Sequence, residues 1–231
     1  MRRTVRPFVV LSLLFLANGC GTASAQKEFE GAVTMNMNMG GMLSVDITTL
    51  SKAGKVRQEM SMMGQDVVSI IDASSGTGLM LMPAQKSYMK IDFKALTERV
   101  GEMPAPQITA TGTTETILGH TCENYTVEVP SGTTQICVAK DLGFYMGSLN
   151  TQGSGMGGRA NMEAYTEVFR NTFKDGFFPL KMTVANQGTT MTLTVTKIER
   201  KSLSDDQFKL DVPDGYTEMK MPAPPARGPG R

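Results

Sequence analysis

Tryptophan is missing from the 231-residue chain, which also carries one histidine (His120), three cysteines and five tyrosines. A lone histidine excludes most of the metal, proton-shuttle and nucleophile chemistry that relies on several imidazoles. An excess of one charge is missing too. Three of the 23 basic residues (Arg2, Arg3 and Arg6) precede an apolar run, and the remaining 20 stand against 22 acidic ones. That balance argues against a nucleic-acid partner, which needs a clustered basic surplus to displace counterions from phosphates. Long apolar runs are absent as well. None reaches the ~18–20 residues that span a bilayer, so no transmembrane segment is expected in the mature chain. What the chain has in abundance is methionine, 19 residues.

The first 25 residues read as a signal peptide. A basic start is followed by the apolar run Phe8–Leu16 and then by small residues ending Ala23-Ser24-Ala25. Two processing routes remain open. Cleavage after Ala25 follows the A-x-A rule, whereas Ala17-Asn18-Gly19-Cys20 resembles a lipobox whose Cys20 would be acylated. Asn18 and Ala17 fit the lipobox less well, which favours cleavage after Ala25. Both routes export the chain, to the bacterial periplasm or the exterior, or to a membrane anchor through Cys20.

Export leaves Cys122 and Cys137 in an oxidising compartment, where two cysteines form a structural disulfide. They flank Pro130-Ser131-Gly132 in two strand-like runs. A hairpin turning at residues 129 and 130 would set them directly opposite one another.

Between residues 27 and 91 the pattern is antiparallel strands. Phe29, Gly31, Val33, Met35, Met37 and Met39 alternate with polar or small residues, which puts the apolar set on one face. A three-residue loop, Gly40-Gly41-Met42, pairs Met37 with Val45 and Met35 with Ile47. A two-residue loop would mix the faces, so the longer loop is expected. Val56, Gln58, Met60 and Met62 begin a further series closing at Ile91. Asp92 then caps a helix carrying Phe93, Leu96 and Val100. Residues 103–114 read as a Pro/Thr/Gly linker crossing between two halves of one sheet. Leu142–Leu149 reads as a short helix, 151–158 as a Gly-rich loop, and Asn161–Arg170 as a second helix before two long strands. Residues 222–231 (PAPPARGPGR) have nothing apolar to bury and read as a disordered tail. The expected organisation is one domain over residues 26–221.

Several motifs together resemble a known family. They are Lys55-Val56-Arg57-Gln58-Glu59, Met82-Pro83 with Lys86 and Tyr88, Glu115–Tyr125 (ETILGHTCENY), Val138-Ala139-Lys140-Asp141-Leu142-Gly143, Pro179-Leu180, and Phe208 followed by Pro213-Asp214-Gly215-Tyr216. In this order they resemble an exported bacterial family, domain of unknown function 4412, similar to the lipoprotein-localisation-factor (LolA/LolB-like) superfamily. The resemblance implies an α+β fold, an antiparallel sheet curled into an incomplete β-barrel with helices covering or plugging the concave face. In the superfamily that concavity holds acyl chains or hydrophobic peptides. It supplies no catalytic residues to transfer.

Enzyme chemistry finds little footing. No G-x-S-x-G elbow accompanies His120, which reads as a surface or hydrogen-bonded histidine. Gly153–Gly158 lacks the Lys-Ser/Thr of a phosphate loop, and Asp205-Asp206 lacks the spaced oxygens of a calcium loop. No cofactor is expected. The methionines carry the functional reading. Flexible thioethers adapt to irregular apolar partners better than branched side chains do. The expected ligand-binding set is Phe29, Val33, Met35, Met37, Met39, Val45, Ile47, Met60 and Met62, lining a face for a lipid or lipoprotein acyl chain. Two alternatives remain: a surface for another envelope protein, and thioether binding of copper(I), for which histidine or free cysteine co-ligands are lacking.

Overall fold

The computed structural model describes residues 27–100, 104–129, 132–147, 162–186 and 189–219. The expected signal peptide with Cys20, the expected Gly-rich loop at 151–158 and the expected tail at 222–231 lie outside the described residues.

Alternation and tight turns build the first half. β1 (Gly31–Met39) and β2 (Leu43–Lys52) pair through the expected three-residue loop, with Met37 opposite Val45 and Met35 opposite Ile47. Ala53-Gly54 leads into β3 (Lys55–Met62) and Met63-Gly64 into β4 (Gln65–Asp72). Both residues of each pair have positive φ, the hairpin geometry that matches strand twist. β5 (Thr77–Met82) and β6 (Ser87–Asp92) complete the series. The Asp92 carboxylate then accepts from the Ala95 amide at 3.0 Å and caps α1 (Phe93–Val100), as expected.

The second half contains β7 (Gln107–Ile117), β8 (His120–Val129), β9 (Gly132–Ala139), α2 (Met162–Thr172), β10 (Phe178–Asn186), β11 (Thr189–Arg200) and the two-residue β12 (Thr217–Glu218). The twelve strands of the described residues form one sheet in the order β12-β6-β5-β4-β3-β2-β1-β11-β10-β9-β8-β7. Neighbours are antiparallel except β12, which runs parallel to β6. The sheet is curled and unclosed, an incomplete barrel of the α+β class. β11 joins the halves, because it lies between β1 and β10. At this junction Gly31 has a φ of 149°, and a Cβ there would sit 2.1 Å from the Glu199 carbonyl oxygen, so no larger residue fits.

Three expectations need correction. Residues 107–114 are not linker but most of β7, an edge strand. Its bulge between Ala110 and Thr114 holds Gly112 at a φ of 76°, and that glycine disguised the strand. Residues 143–146 are not helical. Phe144 instead bridges to both Glu28 and Phe177, where its ring is buried. Finally, Cys137 faces Asn124 rather than Cys122, because Val129 pairs with Gly132, which sets the centre of the hairpin one residue later than expected. The two-residue offset preserves the face of the strand. Cys122 and Cys137 still form the disulfide, at a Cα separation of 5.3 Å.

Two buried clusters organise the interior. One combines Met37, Val45 and Ile47 with Tyr125, Phe169, Phe173 and Phe177. The other gathers Phe29, Val33, Met35, Tyr145 and Phe178 around the disulfide.

Candidate functional site on the inner face

Side chains alternate across a strand, so the pairing registers identify which residues share the helix-covered inner face. One row runs Gly31, Ser51, Val56, Ile71, Gly78 and Ile91; the next runs Val33, Thr49, Gln58, Ser69, Met80 and Met89. Beyond it lie Met35, Ile47, Met60 and Val67. Among the described residues of β1–β6, no Asp, Glu, Lys or Arg stands on this face. Asp46, Arg57, Glu59, Asp66, Asp72 and Lys90 all fall on the opposite one. On that outer face Arg57 and Glu59 pair at 2.6 Å, as their spacing suggests.

The helices cover this face unevenly. Phe169 of α2 and Phe173, the residue after its last turn, pack with Phe177 and Tyr125 over Met37, Val45 and Ile47. The Phe93 ring of α1 rests on Gly78, where a Cβ would approach it to 3.3 Å. Of the residues expected to contact ligand, Phe29, Val33, Met35, Met37, Val45 and Ile47 are buried in the two clusters. Met39 and Met60 are half-buried at the margin, and Met62 is 37% exposed near its turn. Met80, Met82 and Met89 are half-buried as well and complete the uncovered part of the face. The sequence reading missed these three. Their signal was present in the period-two spacing of Gly78, Met80 and Met82 and of Ser87, Met89 and Ile91.

A polar row interrupts this apolar surface. Thr49, Gln58 and Ser69 are at most 3% exposed. Gln58 Nε2 donates to the Gly147 carbonyl at 2.9 Å and reaches Thr49 Oγ1 at 3.5 Å. Gln58 Oε1, Ser69 Oγ, Ser87 Oγ and the Tyr145 hydroxyl have no hydrogen-bond partner among the described residues. Burial pushes the Tyr145 phenol well above its ordinary range; neighbouring Thr49 opposes that shift but does not offset it.

A separate cleft of about 460 Å³ lies over β7, β8 and β9, lined by Thr114, His120, Thr121, Glu123, Lys140 and Asp141 among others. Its charges satisfy one another. His120 Nδ1 lies 2.7 Å from Asp141, and Lys140 Nζ lies 2.9 Å from Glu123. The Tyr125 hydroxyl donates to Glu123 at 2.6 Å; this bond and Lys140 hold the Glu123 carboxyl below its ordinary value. A histidine bonded to a carboxylate is two-thirds of a catalytic triad. Here Asp141 is the one side chain hydrogen-bonded to the imidazole among the described residues. Asp205 and Asp206 pair with Lys52 and Lys209. No group of three His, Cys, Asp or Glu side chains among the described residues is placed to hold a metal ion. No helix there is long and apolar enough to cross a membrane.

Comparison with solved structures gives distant likenesses. The chain is similar to PNGF-II at 15% identity and a TM-score of 0.45, covering 86% of this chain but only 31% of that one. An uncharacterized conserved protein from Thermus thermophilus aligns at 10% identity over 81% of this chain and 88% of its own, with a TM-score of 0.49. The Mycobacterium tuberculosis lipoprotein LppX aligns at 11% identity over 76% and 89%, with a TM-score of 0.38. No curated protein matches. The family comparison does: residues 29–216 match the model of domain of unknown function DUF4412, and the chain belongs to that family.

Proposed function

We propose that this protein is a non-catalytic carrier or receptor in the cell envelope that binds a hydrophobic ligand, a lipid or lipoprotein acyl chain, on the methionine-lined inner face. The observation that carries the reading is the charge-free inner face of β1–β6, with Met39, Met60, Met80, Met82 and Met89 only partly covered. A face that served only as closed core would bury these side chains fully, and branched residues would define its packing better. Thioethers on β1, β3, β5 and β6 can instead reshape around chains of different length and bend.

The test uses the chain from residue 26 onward and the uncharged dye N-phenyl-1-naphthylamine. Dye emission should rise on binding. Met80→Asp should weaken binding at least tenfold with the circular dichroism unchanged, because a carboxylate cannot be desolvated cheaply against an apolar ligand. Met80→Leu should keep most of the affinity, which also separates an apolar site from a thioether–copper(I) site. Absence of dye binding to the unaltered protein would overturn the proposal.

A further inference from the structure

Four buried polar atoms on or beside an otherwise apolar face have no hydrogen-bond partner among the described residues, and their chemistry is selective. Gln58 is 1% exposed, and its amide is held by the Nε2 bond to Gly147. Its Oε1 is therefore a fixed acceptor that only a donor can satisfy. Ser69 is its direct cross-strand neighbour, 3% exposed, with an unpartnered hydroxyl able to donate or accept. The Tyr145 ring packs against Gly147, where a Cβ would lie 2.5 Å from the hydroxyl, so this third unpartnered group stands beside the same carbonyl. Ser87 lies two residues from Met89 on the same face and offers a fourth. Buried polar groups of this kind are rare in folded proteins because each has lost its water without a replacement bond.

We propose that Gln58, Ser69 and Tyr145 anchor an uncharged, hydrogen-bond-donating headgroup, a hydroxyl or an amide, of an amphiphile whose chain lies along Met60, Met80 and Met89. This inference rests on the hydrophobic-ligand function proposed above. An ionised carboxylate or phosphate does not fit. It offers acceptors only, which Gln58 Oε1 repels, and the inner face of β1–β6 has no cation to balance it. A plain hydrocarbon would leave all these atoms unpaired. A glyceryl hydroxyl or an amide N–H supplies the donor that Oε1 requires, while the Ser69 and Tyr145 hydroxyls donate to the headgroup's own oxygen.

Competition against N-phenyl-1-naphthylamine tests this with two probes of equal chain length, 1-monolauroylglycerol and laurate at pH 8, both below their micellar concentrations. The monoacylglycerol should displace the dye at a concentration at least tenfold lower than laurate. Gln58→Met with Ser69→Ala should reduce monoacylglycerol affinity at least tenfold more than it changes dye affinity. Ser69→Ala alone removes only an unpartnered hydroxyl, should fold, and should give about a threefold loss. Equal displacement by the two probes, or an unchanged monoacylglycerol affinity in these variants, overturns the headgroup assignment and leaves the hydrophobic-ligand function standing. Failure of the dye to bind the unaltered protein overturns both.

Discussion

The Arg170 guanidinium stands 3.8 Å from the centre of the Phe144 ring and forms an ion pair with the Glu28 carboxylate. One side chain near the end of α2 thus ties that helix to the segment that enters β1. The same helix supplies Phe169 to the first cluster. Replacing Arg170 by Met keeps an apolar stem but removes the charge. The expected loss is about 1 kcal/mol, since cation–π contacts at partly exposed sites contribute ~0.5–1 kcal/mol and exposed ion pairs less. Urea unfolding should show it. Part of the difference should vanish in 1 M salt, where the pair is screened but the ring contact is not.

The disulfide closes a short loop, with 15 residues separating Cys122 from Cys137. In the chain-entropy account a loop of that size stabilises by about 3 kcal/mol. Cys122→Ala with Cys137→Ala should therefore lower unfolding stability by roughly that amount while the far-ultraviolet spectrum keeps its sheet signature. Alanine is the suitable replacement, because both sites are essentially unexposed and a serine hydroxyl would need a partner there. Two free thiols in oxidised, unreduced protein would contradict the pairing.

Legibility in the sequence followed the range of the interaction. The β1–β2 register could be read because Met35 and Met37 alternate against Val45 and Ile47 across glycines, and a slip of one residue would expose them all. The Asp92 cap of α1 was likewise local. The cysteine register was off by two because Pro130-Ser131-Gly132 marks a turn without fixing its length. β7 was hidden by Pro104, Pro106 and Gly112, which look like breakers but flank or bulge an edge strand. No local pattern tells that β11 lies between β1 and β10, nor that Phe169 and Phe173 descend on Met37. The methionine face was visible on β1 and β3. Its extension to Met80, Met82 and Met89 needed cross-strand registers that link β3 to β6.

Three tight turns carry a non-glycine residue in the left-handed region: Ala53 at a φ of 47°, Met63 at 55° and Leu118 at 52°, each followed by a glycine. Asparagine tolerates that conformation far better than alanine, methionine or leucine does. Met63→Asn gives the clearest case, since Met63 is 93% exposed and contributes almost nothing to packing. A gain of about 0.5 kcal/mol is expected, seen as a higher melting temperature with unchanged dye binding. A lower melting temperature would show that the turn is held by something other than its backbone preference.

Tyr145 sets an alkaline limit on the fold. Burial holds its phenol in the neutral form well above the ordinary range, and its ring stacks on Phe178 at 4.7 Å inside the second cluster. In the unfolded chain the phenol ionises near pH 10, roughly the model-peptide value. Below that pH both states keep the proton, so its contribution is constant and fully present. Above it the unfolded state releases the proton while the folded state retains it. Stability then falls with rising pH by up to about 1.4 kcal/mol per unit for this one group. Tyr145→Phe should remove that component, so the difference between variant and parent stability should grow in the variant's favour from pH 9 to pH 11. At pH 7 the substitution should change little, because among the described residues the hydroxyl makes no close hydrogen bond that would be lost. Absorbance at 295 nm should show a tyrosine that ionises only as the protein unfolds, and the Phe variant should lack it. Parallel stability curves for the two proteins across this range would mean that the phenol reaches solvent in the folded state.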